Sequence, residues 1–143
     1  MMDVDTRKHT AQWLALAFGI VYVLIGLIGF LVTGFDNFAA SNTEEFLLGI
    51  FEVNPLHNIA HLVLGLIGLG MWRTLSGARN YGWLLLVVFG VLFLYGLVAA
   101  GTPADILSLN GADNFLHLLT AAVGLAIALM AGRGYRPAGM PER

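Results

Sequence analysis

Cysteine is absent from the 143 residues, so a disulfide framework, a cysteine-ligated iron–sulfur cluster and a c-type haem attachment are all excluded. Charge is nearly as scarce. Only 11% of the residues are charged, whereas a soluble domain carries about 25%. Four stretches, residues 9–35, 53–72, 80–104 and 114–132, contain no Asp, Glu, Lys or Arg at all. Catalytic signatures are missing too: there is no phosphate-binding glycine loop, no H-E-x-x-H and no G-x-S-x-G.

What is present is apolar. Hydrophobic residues make up 58% of the chain and the mean hydropathy is +0.80. Spanning a hydrocarbon core takes roughly 20 apolar residues per helix, so the uncharged stretches predict four transmembrane helices, at about 11–33, 54–72, 81–100 and 110–132. Their apolar character is continuous, which argues against the alternating strands of a membrane β-barrel. The first run is too long for the core of a signal peptide and lacks a small-x-small cleavage site. The expected fold is a single-domain, all-α membrane bundle.

Charge sign gives the orientation. The seven basic residues are Arg7 and Lys8 before the first span, Arg73 and Arg79 between the second and third, and Arg133, Arg136 and Arg143 after the fourth. The other two loops carry only acids: Asp36, Glu44, Glu45 and Glu52, then Asp105 and Asp113. Basic residues near span ends stay cytoplasmic, so both termini and the middle loop are expected inside. Trp13, Trp72, Tyr81 and Trp83 fall at the same span ends, as interfacial anchors do.

Local signals set several boundaries. Asn54 followed by Pro55 reads as an N-cap and first helical residue. Asp113 stands in the first turn of the fourth span, where a carboxylate complements the helix dipole. Ser41 and Glu44 have capping-box spacing ahead of Phe46, Leu47, Leu48, Ile50 and Phe51, which predicts a short surface helix at 43–52. Residues 133–143, rich in Gly and Pro, read as a disordered tail.

The halves of the chain resemble each other. Asn54-Pro55-Leu56-His57-Asn58-Ile59-Ala60-His61-Leu62 aligns with Asn110-Gly111-Ala112-Asp113-Asn114-Phe115-Leu116-His117-Leu118, and Trp13-Leu14 and Gly26-Leu27 align with Trp83-Leu84 and Gly96-Leu97. This pattern predicts two tandem helical hairpins related by an axis along the membrane normal.

The shared polar residues hold the only candidate chemistry. His57 and His61 are four apart, as are Asp113 and His117, so each pair lies on one helix face. Three readings stay open. In the first, the histidines bond to the structural polar residues Asn54, Asn58, Asn110 and Asn114 and fix packing. In the second, His57, His61, Asp113 and His117 bind Zn²⁺ or a related ion. In the third, His61 and His117 are axial ligands of haem b. The small residues Gly65, Gly68, Ala121 and Gly124 continue these faces and predict close contact between spans two and four.

At these residues the chain resembles the bacterial, largely actinobacterial, membrane family called domain of unknown function 4383. The resemblance rests on the L-H-N-x-x-H-L start at Leu56–Leu62, on Leu94-Tyr95-Gly96-Leu97 and on the A-D-N-x-L-H start at Ala112–His117. It covers about residues 10–132. It implies a four-span protein of the bacterial plasma membrane and implies no activity. The expectation is a non-enzymatic accessory or scaffold component without a cofactor, or alternatively a Zn- or haem b-binding protein. Its partners are the lipid bilayer and a membrane protein or a second copy, with no role for nucleic acid.

Overall fold

The computed structural model describes residues 8–134. It consists of helix α1 (Thr10–Thr33), a two-stranded hairpin of β1 (Phe46–Leu47) and β2 (Phe51–Glu52), then α2 (Pro55–Met71), α3 (Leu75–Ala99) and α4 (Gly111–Gly134). Three of the helices, α1, α3 and α4, are long and apolar enough to cross a membrane, whereas α2 is a shorter apolar helix of 17 residues. Apart from the six residues by which α3 begins early, these bounds lie within two residues of the expected spans.

Capping chemistry explains most of the helix ends. The Asn54 side chain accepts a hydrogen bond from the His57 N–H at 2.9 Å, and Pro55 occupies the first turn. Asn110 Oδ1 accepts from the Asp113 N–H at 3.0 Å while Asp113 Oδ2 accepts from the Asn110 N–H at 3.1 Å, a reciprocal pair that satisfies two otherwise orphaned donors. His9 and Gln12 form the corresponding pair at the start of α1. Helix α3 begins at Leu75, not at 81, because Thr74 caps it by accepting from the Gly77 N–H. Arg79 therefore lies on the helix, not in a loop.

Three expectations need correction. Residues 43–52 do not form a helix. Asn42 and Glu44 adopt positive φ (52° and 57°), as do Leu48 and Gly49 (54° and 72°) at the hairpin turn, and positive φ at both central residues suits a hairpin turn and ends a right-handed helix. The tail is not irregular from 133, since α4 runs through Gly134; residues 135–143 lie outside the described residues. Tyr81 is not an interfacial anchor but part of the core, fully buried with its hydroxyl against Gly68, while Trp13 and Trp83 are exposed.

The helices pack chiefly as antiparallel pairs, α1 on α2 and α3 on α4. Contact within each pair is backbone to backbone. Gly65 of α2 meets the Val23 nitrogen and Gly19 carbonyl of α1, and Gly124 of α4 meets the Leu86 nitrogen and Gly82 carbonyl of α3. Thus the small residues of α2 and α4 face their own hairpin partners, whereas a direct seam between spans two and four was expected. Backbones of α2 and α4 stand diagonally without touching. A core of Tyr22, Leu64, Tyr81, Leu85, Phe89 and Ile127 joins the two hairpins.

Candidate functional site

Every candidate residue of α2 and α4 lies near one end of the bundle, beneath the segments 34–54 and 100–110. Asn54 is the tie between those segments. Its side-chain amide donates to the carbonyls of Ala40 (2.9 Å) and Ile106 (2.8 Å) while its oxygen caps α2. Asn110 does the same work on α4, donating to the Ile50 carbonyl at 2.8 Å. Asn58 donates to Thr33 Oγ1 at 3.0 Å and packs against Gly29, and Asn114 packs against Gly96. Asn54→Ala removes three hydrogen bonds of about 1 kcal/mol each. It should cost about 3 kcal/mol in denaturant unfolding, with Asn54→Asp, which keeps the cap acceptor, falling between it and the native protein.

His57, His61, Asp113 and His117 do come together, and all four are buried. The ring centroids of His57 and His61 are 4.6 Å apart and those of His57 and His117 are 6.0 Å apart. Yet the histidines do not bond to the asparagines, as the packing reading expected. Nδ1 of each of the three rings is buried and without a partner. They stack instead. His61 lies flat on Tyr22 (5.5 Å, 11°), Tyr22 lies on Phe89 (5.3 Å, 19°), and Phe89 meets His117 at 5.4 Å and 47°. The Tyr22 hydroxyl donates to Thr120 Oγ1 at 3.1 Å. This four-ring column ties α1 and α2 to α3 and α4, and ring pairs of this kind contribute about 0.5–1.5 kcal/mol each beyond their buried area.

The column bears on the two ligand readings. Among the described residues no group of three or more His, Asp or Glu is arranged to hold a metal ion. Asp113 Oδ2 accepts from the N–H groups of Asn110 and Glu52, both at 3.1 Å. A haem between His61 and His117 would have to displace Tyr22 and Phe89, which fill that space. The adjoining cavity measures about 60 Å³, well below the 300–1,000 Å³ of ordinary ligand pockets.

Two carboxylates beside Asp113 escaped the sequence reading as site residues. Glu52 Oε1 accepts from Ser108 Oγ (2.8 Å) and the Glu44 N–H (3.3 Å), and Asp105 accepts from the N–H groups of Leu107 (3.1 Å) and Leu109 (2.6 Å). Both are buried. Their only sequence signal is position, in segments without a basic residue. Tyr22, Phe89 and Thr120 were equally hidden, since an aromatic or a threonine in an apolar run reads as core. Tyr95 staples a loop: its hydroxyl donates to the Ala104 carbonyl at 2.6 Å and accepts from the Ile106 N–H at 2.9 Å.

These features define a class: a helical protein with membrane-length apolar helices, capped at one end by short polar segments over a buried histidine cluster. Residues 12–130 match the family model described as Domain of unknown function (DUF4383), and the chain belongs to that family. No curated protein and no solved structure matches it.

Proposed function

We propose that this chain is a non-enzymatic, four-span protein of the bacterial plasma membrane, an accessory or scaffold component that works with the lipid bilayer and with a membrane partner or a second copy of itself. The carrying observation is how the site's polar groups are used. Asp113, Asn54 and Asn110 cap helices and bind loops, and the histidines stack in the core. None is left opposite a nucleophile or a base in the arrangement that bond-making chemistry needs.

Four spans require α2 to cross as well. Its 17 residues give about 25 Å at 1.5 Å per residue, a few ångströms short of a ~30 Å core, a mismatch that local thinning offsets at fractions of a kcal/mol per Å. Two features support tandem hairpins. Asn54 and Asn110 have matching cap roles, and Gly29 with Asn58 matches Gly96 with Asn114. This last match is one helical turn out of the register suggested by Trp13-Leu14 and Trp83-Leu84. The orientation rests on charge. Lys8, Arg73, Arg79 and Arg133 share the end of the bundle opposite to Glu44, Glu52, Asp105 and Asp113, which supports cytoplasmic termini.

Two measurements test this reading. Cysteine introduced at Ser41 should react with a membrane-impermeant thiol reagent on intact cells, and cysteine at Ser76 should not; reversed labelling contradicts the orientation. Detergent-purified protein should give a featureless visible spectrum and substoichiometric metal. A Soret band or one metal ion per chain would overturn the scaffold reading.

A further inference from the structure

The cap formed by residues 34–54 and 100–110 has its polarity inside out. Its polar side chains Glu52, Asn54, Asp105 and Ser108 are buried. Its large apolar side chains Phe35, Phe38, Phe46, Leu48, Ile50 and Ile106 are exposed, Phe35 and Leu48 to 78% and 77%. We propose that the outer face of this cap is a lipid-binding surface, partly immersed at the boundary between hydrocarbon and headgroups of the adjoining leaflet, with acyl chains against those apolar side chains. The inference rests on the four-span reading and goes beyond it.

In water the arrangement is unfavourable on both counts. A buried polar group and a large exposed apolar patch are the two features that need a cause. Against lipid both are required, because non-helical backbone at membrane depth persists only where the protein satisfies its polar groups. Ile50 and Ile106 show the pattern. The Ile106 N–H bonds to the Tyr95 hydroxyl and its carbonyl accepts from the Asn54 amide. The Ile50 N–H bonds to the Leu47 carbonyl and its own carbonyl accepts from the Asn110 amide. Each residue therefore presents a bare side chain outward while its backbone is fully paired within the protein. Asp105 serves the same end, taking the N–H groups of Leu107 and Leu109.

Helix length selects lipid over a protein partner. The 17 residues of α2 span about 25 Å. Its far end is held at headgroup level, where the Lys8 ammonium stands 5.5 Å over the Trp72 ring, as interfacial anchors do. A hydrocarbon core of ~30 Å then reaches about 5 Å beyond Asn54, into the cap. Charge agrees, since neither cap segment contains Lys or Arg. The exposed acids Asp36 and Glu44 leave the cap a side for headgroups and water.

The chain has no cysteine, so single nitroxide labels can be attached at Phe38→Cys, Leu48→Cys and Ile50→Cys without removing a native thiol. Each labelled protein is reconstituted into phosphatidylcholine–phosphatidylglycerol vesicles. Collisions are measured with dioxygen, which concentrates in hydrocarbon, and with a water-soluble nickel chelate. Leu66→Cys, at an exposed position of α2, is the hydrocarbon reference. The expected result is an excess of dioxygen over nickel collisions at all three cap positions, as at Leu66. A nickel excess at any cap position, with dioxygen in excess at Leu66, overturns this proposal alone, because these vesicles hold no other protein. Low rates for both reagents at the cap overturn it too, since the face is then covered by a second copy. A nickel excess at Leu66 overturns the four-span reading and this proposal with it.

Discussion

Replacing Gly124 with leucine should leave almost no folded protein. A β-carbon at this position would stand 2.7 Å from the Leu86 nitrogen and 2.8 Å from the Gly82 carbonyl oxygen. Both obstacles are backbone, so no rotamer change relieves them. Even alanine must push α3 and α4 apart. In a membrane-type bundle, where helix association depends on close packing more than on a hydrophobic drive, that separation forfeits the main attraction. Overpacking a tight core costs about 1–3 kcal/mol and occasionally more. Leucine at Gly124 should exceed the upper figure, and alanine should fall within the range. Gly65→Ala should behave alike, because its β-carbon would meet the Val23 nitrogen of α1 at 2.5 Å. By contrast, Gly70→Ala, where a β-carbon meets nothing, should be neutral or slightly stabilising as a better helix former. Thermal unfolding followed by size-exclusion chromatography in detergent distinguishes these outcomes. A native-like Gly124→Leu would contradict the packing described for α3 and α4.

Phe89→Ala should have the second largest effect, a loss of about 3–5 kcal/mol. Phe89 is 2% exposed and stands between Tyr22 and His117 in the ring column. Truncating it opens a cavity and severs the link between the hairpins. It also leaves one face of Tyr22 and one edge of His117 without packing partners. Tyr22→Phe removes only the hydroxyl and its bond to Thr120, and should cost about 1 kcal/mol. A double-mutant cycle over Tyr22→Leu and Phe89→Leu should return a coupling of about 0.5–1.5 kcal/mol. Additive single effects would show that the two rings do not act together.

Much of the fold was legible because its signals are local. Asn54-Pro55 and Asn110 with Asp113 mark helix starts through bonds closed within three residues, and those starts were placed to within one residue. The start of α3 was missed because Arg73 and Arg79 were read as one basic loop. Thr74 is a good N-cap, and charges in the first turns of a helix are tolerated where it leaves the hydrocarbon. The 43–52 segment failed for a different reason. Capping-box spacing at Ser41 and Glu44 outweighed Gly49, the residue that marked a turn, and left-handed φ at Asn42 and Glu44 cannot be read from residue type alone.

For the site, the sequence indicated which polar residues gather but not what they touch. That His57, His61, Asp113 and His117 share one region follows from two helix starts of like pattern. That the histidines pair with Tyr22 and Phe89, not with asparagines, depends on α1 and α3 being brought alongside. No spacing rule reaches contacts such as Tyr22 with Thr120, which are 98 residues apart. The expectation that Gly68 and Gly124 join spans two and four failed similarly. Small residues announce a close approach without naming the partner, and here the partners are α1 and α3.

The column His61–Tyr22–Phe89–His117 closes the bundle core. Solid-state NMR of the protein in lipid bilayers, with isotope labels on histidine, tyrosine and phenylalanine rings, tests it most directly. The predicted result is a set of through-space correlations linking His61 to Tyr22, Tyr22 to Phe89 and Phe89 to His117, at separations compatible with ring centroids 5.3–5.5 Å apart. Loss of those correlations, with either histidine ring in contact with lipid acyl chains instead, would contradict it.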